Sequence, residues 1–265
     1  MAEVPARVLV TGASSGIGRE FCVQLAARGY AVTGVARREQ NLQELVSELP
    51  AGDHGYLVAD LASPEGQQLV QDELAARHYQ LMINNAGFST FDPFFESELA
   101  DQQKILAVNC GAVTTLAHAF LKQAQSGDAL VNLGSIVSFL PTPVQPMYSA
   151  SKAFIAALSE CLWVEHRDRG VYVMGLCPGV TLTEFISGAT GGDADGQTLP
   201  DVFIQTTEQV VGEALAALDK RKKAIVVTGW INKLMMLMPR VMTRHRLIKT
   251  LAVLGDPDNA LLKDS

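Results

Sequence analysis

The sequence predicts a doubly wound α/β fold, in which one parallel sheet of seven strands is covered by helices on both faces. Apolar runs of strand length alternate with longer amphipathic runs along the chain. The shorter runs are continuous in Val, Ile and Leu, which is typical of strands buried on both faces. With 265 residues, 48% hydrophobic and 18% charged, the chain suits a single large domain.

The apolar runs give the order of the elements. Strands are predicted at Arg7 to Thr11, Ala31 to Ala36, Gly55 to Ala59, Leu81 to Asn84, Ala129 to Leu133, Val171 to Cys177 and Ala224 to Thr228. Helical spacing predicts helices at Ile17 to Arg28, Gln40 to Leu49, Pro64 to Arg77, Leu99 to Gln125, Met147 to Arg167 and Thr206 to Leu218. Gly29 and Pro50 end the first two helices, and Pro64 stands where a missing N–H costs least. Repeated β-α units with right-handed crossovers give a doubly wound sheet.

The domain organisation follows from what interrupts this pattern. No repeat or linker divides residues 1–230, which we expect to form one domain. Residues 184–206 are rich in Gly, Asp and Ala and predict a mobile substrate loop. Residues 231–265 form an extension. The segment from Trp230 to Leu254, which begins at the junction and covers most of the extension, mixes Leu and Met with Lys and Arg and predicts an amphipathic helix interrupted at Pro239.

Charge is distributed unevenly along the chain. The net charge is −7, yet Lys220 to Gly255 contains nine Lys or Arg and no Asp or Glu, which leaves −16 on the remainder. An acidic body argues against a nucleic-acid partner. Two interpretations of the basic, apolar extension remain open. It could cover the core or a subunit interface, or residues 230–254 could attach to an anionic membrane surface or form the mouth for a lipid-like substrate.

The location and the metal content are also predicted. Met1 to Val10 is too short for a signal peptide, and no run reaches 18 uninterrupted apolar residues, so we expect a cytoplasmic protein that could contact the membrane peripherally. The four cysteines lack C-x-x-C spacing and predict reduced, buried thiols: Cys22, Cys110, Cys161 and Cys177. The histidines are scattered, and no metal site is expected.

A glycine-rich turn follows the first strand. The segment T-G-A-S-S-G-I-G places Gly12, Gly16 and Gly18 around Ser14, Ser15 and Ile17. Glycines allow a tight turn and close approach of the backbone to a pyrophosphate, which the helix N-terminus attracts. A plain β-α turn would have similar glycines. The position of this segment at the first β-α junction favours a dinucleotide-binding site over a plain turn.

The end of the second strand indicates which dinucleotide binds. An acid there would hold a ribose 2′-hydroxyl. This chain has Ala36 followed by Arg37 and Arg38, and guanidinium groups suit a 2′-phosphate. The sequence therefore favours NADP(H) over NAD(H), with Arg37 the better candidate; the alternative is a solvated basic pair.

Tyr148 and Lys152 are four residues apart and share a helix face. A free tyrosine has a pKa of about 10, and a neighbouring ammonium is expected to lower it towards a useful acid/base range. Ser135 ends the fifth strand, where its hydroxyl could hold a substrate oxygen or simply be a turn residue.

With these residues the chain resembles the short-chain dehydrogenase/reductase superfamily over roughly residues 5–230. The resemblance depends on several motifs in order, namely the glycine turn, Asp60-Leu61, Asn84-Asn85-Ala86-Gly87, Asn109, Ser135, Tyr148 with Lys152, and Pro178-Gly179 with Thr181 and Thr183. It implies a Rossmann-type fold. The family's V-D-G-G end is missing after the last strand, where the basic extension stands instead.

The resemblance also implies roles for these residues. Tyr148 would be the general acid/base, Ser135 would orient the substrate oxygen, and Lys152 would lower the Tyr148 pKa and bind ribose. Asn109 would hold a water that links Lys152 to solvent. The cofactor groove would be formed by Asp60, Leu61, Asn85, Ala86, Gly87, Pro178, Gly179, Val180, Thr181 and Thr183.

The expected function is NADP(H)-dependent hydride transfer between nicotinamide and a carbonyl or secondary alcohol of a small molecule. Val137, Phe139, Leu140 and Val144 predict an apolar pocket wall, hence an apolar substrate. A homodimer or homotetramer is implied by the resemblance. The alternative from another class is a regulatory protein that binds NADP(H) without turnover. A sugar-nucleotide epimerase is disfavoured because the chain has no room for its larger C-terminal domain.

Overall fold

The computed structural model describes residues 5–90, 94–143, 145–181 and 201–255. The strands are β1 Arg7–Thr11, β2 Ala31–Ala36, β3 Gly55–Val58, β4 Leu81–Asn84, β5 Ala129–Leu133, β6 Tyr172–Cys177, β7 Val180–Thr181, β8 Ile204–Gln205 and β9 Ile225–Val227. Seven of them form one parallel sheet in the order β3-β2-β1-β4-β5-β6-β9, and β7 pairs with β8. The predicted fold class is confirmed.

Helices connect the strands and cover both faces of the sheet. They are α1 Gly16–Ala27, α2 Glu39–Glu48, α3 Pro64–Ala76, α4 Leu99–Leu106, α5 Val113–Gln123, α6 Pro146–Glu165, α7 Thr207–Lys220, α8 Trp230–Met235, α9 Met238–Val241 and α10 Arg244–Gly255. The predicted boundaries of the helices up to α7 agree within a few residues, as expected for strongly periodic segments.

Two cores form because successive strand residues point to opposite faces. On one face, Val8 and Val10 pack with Phe21 of α1 and with residues of α2 and α7. On the other, Leu9 packs with Leu116 and with further residues of α3 and α5. The continuous apolar strands of the sequence therefore feed both cores at once.

The edge strand β3 differs from this pattern. Its residues alternate between half-buried and exposed positions, with Tyr56 and Val58 on the exposed side. The prediction that every strand is buried on both faces is therefore wrong for β3. It pairs only with β2, so it lies at the end of the sheet, where fewer helices cover it.

The long helix predicted from Leu99 onward is interrupted. A π-helical stretch, Ala107–Ala112, joins α4 to α5. Among the described residues, the helix Leu99–Gln123 has the length and apolar composition to cross a membrane. Leu116 and Phe120 of this helix are buried in the core, and core helices pass the same test, so the composition is weak evidence for a span.

The basic extension folds as three short helices. The predicted break at Pro239 is present, because this proline occupies the first turn of α9, where proline is tolerated. A second break separates α9 from α10. Leu247 and Ala252 of α10 are buried, so the extension packs on the same domain.

The cysteines correct one expectation. Cys22 and Cys177 are buried, as predicted, whereas Cys110 is half-buried and Cys161 is exposed. Cys161 lies on an outward position of α6, where the helix is apolar in sequence without being covered.

Candidate active site

A cleft of about 680 Å³ opens at the carboxyl ends of the strands. Its walls contain residues that directly follow β1, β2, β4, β5 and β6, and the strand order reverses between β1 and β4. Ligands of doubly wound sheets bind at such a reversal. A smaller hollow of about 340 Å³ beside Arg7 and Gln80 contains none of the predicted site residues.

Most of the predicted site residues meet in this cleft. Those that line it are Gly12, Ser14, Ser15, Gly16, Ile17, Arg37, Arg38, Asp60, Leu61, Asn85, Ala86, Gly87, Ser135, Tyr148, Lys152, Pro178, Gly179, Val180 and Thr181. Gly18 and Asn109 lie behind the wall rather than on it. Thr183, Val144 and most of the predicted loop 184–206 fall outside the described residues.

The glycine turn is closely packed, and neighbouring backbone and side-chain atoms already occupy the space that a β-carbon would need. Gly12 and Gly16 have φ of 68° and 56°, in the left-handed region that favours glycine. A β-carbon on Gly18 would lie 2.3 Å from the Gly12 oxygen. Asn85 Nδ2 donates to the Thr11 oxygen at 2.9 Å and so joins the turn to the end of β4.

This turn is suited to an anion. Ser15 precedes α1, so the first N–H groups of this helix have no helical partner and face the cleft beside Gly16 and Ile17. Arg38 Nη2 donates to Ser14 Oγ at 3.2 Å, and Arg37 is exposed at the same wall. Two guanidinium groups and a helix N-terminus together form a donor set that fits a phosphorylated nucleotide.

The groove continues past β3 and β4. Asp60 is exposed, and its Oδ1 accepts from the Ala62 N–H at 3.1 Å, while Leu61 is buried. At Gly87 a β-carbon would lie 3.4 Å from Asn109 Oδ1 and 3.5 Å from Lys152 Nζ. The absence of a side chain at Gly87 keeps the groove open above the lysine.

Tyr148 and Ser135 form the centre of the cleft. Ser135 caps a 3₁₀ turn, Ile136–Ser138, and shares a hydrogen bond with Tyr148. Burial raises the pKa of Tyr148 to about 12, although the Ser135 hydrogen bond acts in the opposite direction. The expected lowering by Lys152 is not seen in the protein alone, where removal of the phenol from water dominates the pKa and Cys177 acts in the same direction.

Lys152 is 4% exposed, one turn after Tyr148 on α6. Its Nζ donates to the Leu133 oxygen at 2.7 Å and lies 5.5 Å from the centroid of the Tyr148 ring. Burial lowers the pKa of Lys152 to about 8, because desolvation disfavours the ammonium. This group can therefore gain or lose a proton close to neutral pH.

Asn109 lies in the π-helical stretch and supports the cleft from behind. Its Oδ1 accepts from the Phe88 N–H at 3.0 Å, and its Nδ2 donates to the Phe88 oxygen at 3.0 Å and to Ser151 Oγ at 3.1 Å. The side chain is buried. It therefore fixes the segment after Gly87 against α6, which carries the tyrosine and the lysine.

A carboxylate joins two parts of the cleft's outer edge. Glu213 Oε1 accepts from Gln205 Nε2 at 3.1 Å and from the Gly229 N–H at 2.9 Å, and its Oε2 accepts from Lys233 Nζ at 2.7 Å. The ammonium and these donors hold the pKa of Glu213 below its usual range, although burial acts in the opposite direction. Asn232, on the same helix as Lys233, packs against Gly179 of the cleft.

Some lining residues could not be found from the sequence. Met235 of α8 and Leu251 of α10 line the cleft, as do Lys104 and Val108 from the helix before Asn109, and Gln145. Val137 and Leu140 line it as predicted, whereas Phe139 does not. The helical spacing of apolar residues left open whether the extension covers the core or a subunit interface, attaches to a membrane or forms the substrate mouth.

The sheet order and the glycine turn define a dinucleotide-binding protein of the Rossmann type. A family model described as short chain dehydrogenase matches residues 6–191. The chain belongs to this family of oxidoreductases, and the resemblance inferred from the motifs is confirmed.

Relatives and solved structures agree with this assignment. Sulfoacetaldehyde reductase 2 of Chromohalobacter salexigens is 34% identical over 218 residues, which are 80% of this chain and 85% of that protein. A short-chain dehydrogenase from Sphingobium yanoikuyae in complex with NADPH is 30% identical with a TM-score of 0.75, covering 98% of this chain and 96% of the other. A 7beta-hydroxysteroid dehydrogenase structure is 25% identical with a TM-score of 0.83, covering 93% and 96%.

Proposed function

We propose that this protein is an NADPH-dependent reductase of apolar ketones or aldehydes, which also catalyses the reverse oxidation of the alcohol. The observation that carries the proposal is the hydrogen-bonded pair of Tyr148 and Ser135 above the buried Lys152, in the same cleft as the glycine turn. Assembly as a homodimer or homotetramer and a cytoplasmic location stay predictions.

The cofactor supplies the hydride when it is bound. Residues of this chain would hold it, with the N-terminus of α1 and the glycine turn at the pyrophosphate and Gly179 to Thr181 at the nicotinamide side. Arg37 and Arg38 line the wall where a ribose 2′-phosphate would lie, and neighbouring solved structures contain NADPH or NADP. The two arginines support NADP(H) over NAD(H), whereas the neighbouring structures support only a nicotinamide dinucleotide, since another of them contains NADH.

The remaining chemistry is the transfer of a proton to the substrate oxygen. With a pKa of about 12, Tyr148 is protonated at neutral pH and can donate that proton, while Ser135 holds the same oxygen in place. The ammonium of Lys152 favours the phenolate that remains. A positioned acid of this kind contributes a factor of roughly 10²–10⁴. Asn109 holds together the segments around these groups. That it also holds a water linking Lys152 to solvent stays a prediction.

The substrate preference is inferred from the wall beyond Ser135. Val137, Leu140, Met235 and Leu251 make this wall apolar, with Gln145 as a polar point. Such a surface favours an apolar carbonyl compound over a sugar. Equal turnover of a charged polyol and an apolar ketone would contradict this part of the proposal.

The test is NADPH consumption over ketones and aldehydes of graded polarity, repeated with NADH. Tyr148→Phe should lower kcat/KM by roughly 10²–10⁴-fold while the affinity for NADPH stays unchanged. Turnover that survives in Tyr148→Phe would remove the tyrosine from its role. NADPH binding without turnover of any carbonyl compound would favour a regulatory protein instead.

A second candidate substrate is a short aldehyde with an anionic group. Lys104 lines the cleft with its Nζ 5.6 Å from the centroid of the Phe88 ring, and a relative at 34% identity is named a sulfoacetaldehyde reductase. If this candidate is correct, Lys104→Met should raise KM for an anionic aldehyde and leave that for a neutral one unchanged. Lys122→Met, on the exposed side of α5, is the matched control.

A further inference from the structure

Large apolar side chains are exposed on the first two helices of the extension. Trp230 is 67% exposed, Leu234 55% and Val241 80%, and Leu237 lies between them at 47%. These four residues, the exposed apolar segment, fall within twelve positions of the chain. Among the described residues, a second group of exposed apolar side chains lies at Phe94, Phe95 and Leu99, before and at the start of α4, and the others are spread over several elements. A concentration of this kind marks an interaction surface.

Cations flank the exposed apolar segment. Arg240, Arg244, Arg246 and Lys249 are all exposed, and none of them forms an ion pair with a carboxylate in the part of the chain that the structure describes. Between Lys220 and Gly255 the sequence has nine Lys or Arg and no acid. The cations that flank the exposed apolar segment, which have no carboxylate partner among the described residues, therefore favour a negatively charged partner.

The exposed apolar side chains and the cations beside them together favour one class of partner. Exposed Trp and Leu beside exposed Arg are typical of helices that lie in a membrane interface, with the apolar side chains at the acyl boundary and the cations at the phosphates. A two-fold contact between two copies would place the same surface against itself. The arginines of the two copies would then repel each other, so this contact is disfavoured.

The same short helices also face the cleft. Met235, next to the exposed Leu234 on α8, lines the cleft, and so does Leu251 of α10. The exposed surface and the cleft wall are thus two sides of one small unit. If the proposed function is correct, an apolar substrate dissolved in a bilayer could reach this wall directly.

We propose that the helices α8–α10 dock the protein on a membrane surface rich in anionic phospholipid. The exposed apolar segment lies in the headgroup boundary, and Arg240, Arg244, Arg246 and Lys249 contact the lipid phosphates. The binding is peripheral and reversible, because the helices remain packed on the domain through Leu247 and Ala252.

The first test is flotation of the full chain with vesicles of phosphatidylglycerol and phosphatidylcholine in equal parts, and with vesicles of phosphatidylcholine alone. The protein should float with the mixed vesicles only. Binding should weaken as the salt concentration rises from about 0.1 M to about 1 M, where the screening length falls from about 10 Å to about 3 Å. Absence of flotation with the anionic vesicles at low salt overturns the proposal.

The second test removes the charges. Arg244→Gln/Arg246→Gln should weaken the partition into mixed vesicles about 30-fold, since each basic residue near such a surface contributes about 1 kcal/mol. The matched control, Lys122→Gln/Arg167→Gln, removes two exposed cations far along the sequence and should bind as the wild type does. Equal losses in both variants would show a response to net charge alone and contradict a dedicated surface.

The third test removes the apolar contacts. Leu234→Gln/Val241→Gln should weaken vesicle binding more than tenfold, whereas Leu69→Gln/Val164→Gln, at exposed positions of α3 and α6, should not.

Size-exclusion chromatography with light scattering tests the alternative that a second copy of the chain covers the exposed apolar segment. If Leu234→Gln/Val241→Gln lowers the oligomeric state without vesicles, a second copy covers the segment and the proposal is wrong. Tyr148→Phe should float like the wild type, which separates this test from that of the proposed function.

Discussion

The two walls of the cleft are built in different ways. The nucleotide wall consists mainly of backbone, with glycines at Gly12 and Gly16 and the N-terminus of α1. The substrate wall consists of side chains that come from distant parts of the chain, such as Leu140 and Leu251. A wall of backbone requires particular residues at fixed spacing, whereas a wall of side chains requires only an apolar surface of suitable shape. The first kind is visible in a sequence, whereas only part of the second, such as Leu140, could be predicted.

The largest effect is expected from filling the space in the nucleotide wall. Gly18→Ala places a methyl group 2.3 Å from a backbone oxygen, which should lower the free energy of unfolding by about 3 kcal/mol and weaken NADPH binding. Urea unfolding and a fluorescence titration with NADPH measure the two quantities. Gly212→Ala, in α7 with no atom within 4 Å of the added carbon, should be neutral or stabilising. If both variants behave alike, backbone packing does not limit this wall.

Cofactor choice is the next effect in size. Arg37→Gln/Arg38→Gln should reduce kcat/KM with NADPH by roughly 10–100-fold, the value of charged hydrogen bonds to a phosphate, and leave that with NADH nearly unchanged. Steady-state kinetics with both cofactors measure this, and Arg167→Gln is the exposed control. A wild-type preference for NADH would already overturn the assignment.

Lys152 lies where the two walls meet and should make stability depend on pH. Its pKa is about 8 in the folded protein and 10.5 ordinarily, so between these values the unfolded chain binds more protons. The free energy of unfolding of the cofactor-free protein should therefore rise with pH, by about 2 kcal/mol from pH 7 to 9.5. Urea unfolding of the wild type and of Lys152→Met at each pH gives the difference between their free energies of unfolding. The contributions of the buried thiols cancel in this difference. A flat difference would mean that the ammonium is not desolvated.

The smallest effect is expected in the substrate wall. Met235→Ala should lower kcat/KM for an apolar ketone about fivefold, from the loss of about 1 kcal/mol of apolar contact, with KM for NADPH unchanged. Leu234→Ala, the exposed neighbour, should change neither value. An altered KM for NADPH in Met235→Ala would place this residue on the nucleotide wall and weaken the distinction between the two.

The contrast between a wall of backbone and a wall of side chains also explains which features the sequence could predict. The strands β1, β2, β4 and β5 have the predicted boundaries because uninterrupted apolar runs mark buried strands unambiguously. The glycine turn and the Tyr148–Lys152 pair were found because their spacing is local. The contribution of Met235 and Leu251 depends on where three helices settle after the last strand, which is a matter of long-range packing.

Two further features were beyond sequence reasoning. The direction of the Tyr148 pKa shift depends on how much water the folded cleft removes, and burial of the phenol is its largest cause. The exposure of Cys161 depends on which face of α6 stays uncovered. Both are properties of the assembled molecule, and residue type alone gave the opposite expectation.

The π-helical stretch at Ala107–Ala112 has a consequence for how this chain tolerates insertions and deletions. A π-bulge inserts an additional residue into an otherwise α-helical path. Deleting one residue there would restore ordinary winding and remove the local widening that contains Asn109. Asn109 would then shift relative to its partners Phe88 and Ser151, so a shortened chain could keep its sheet and still lose the support behind its pocket.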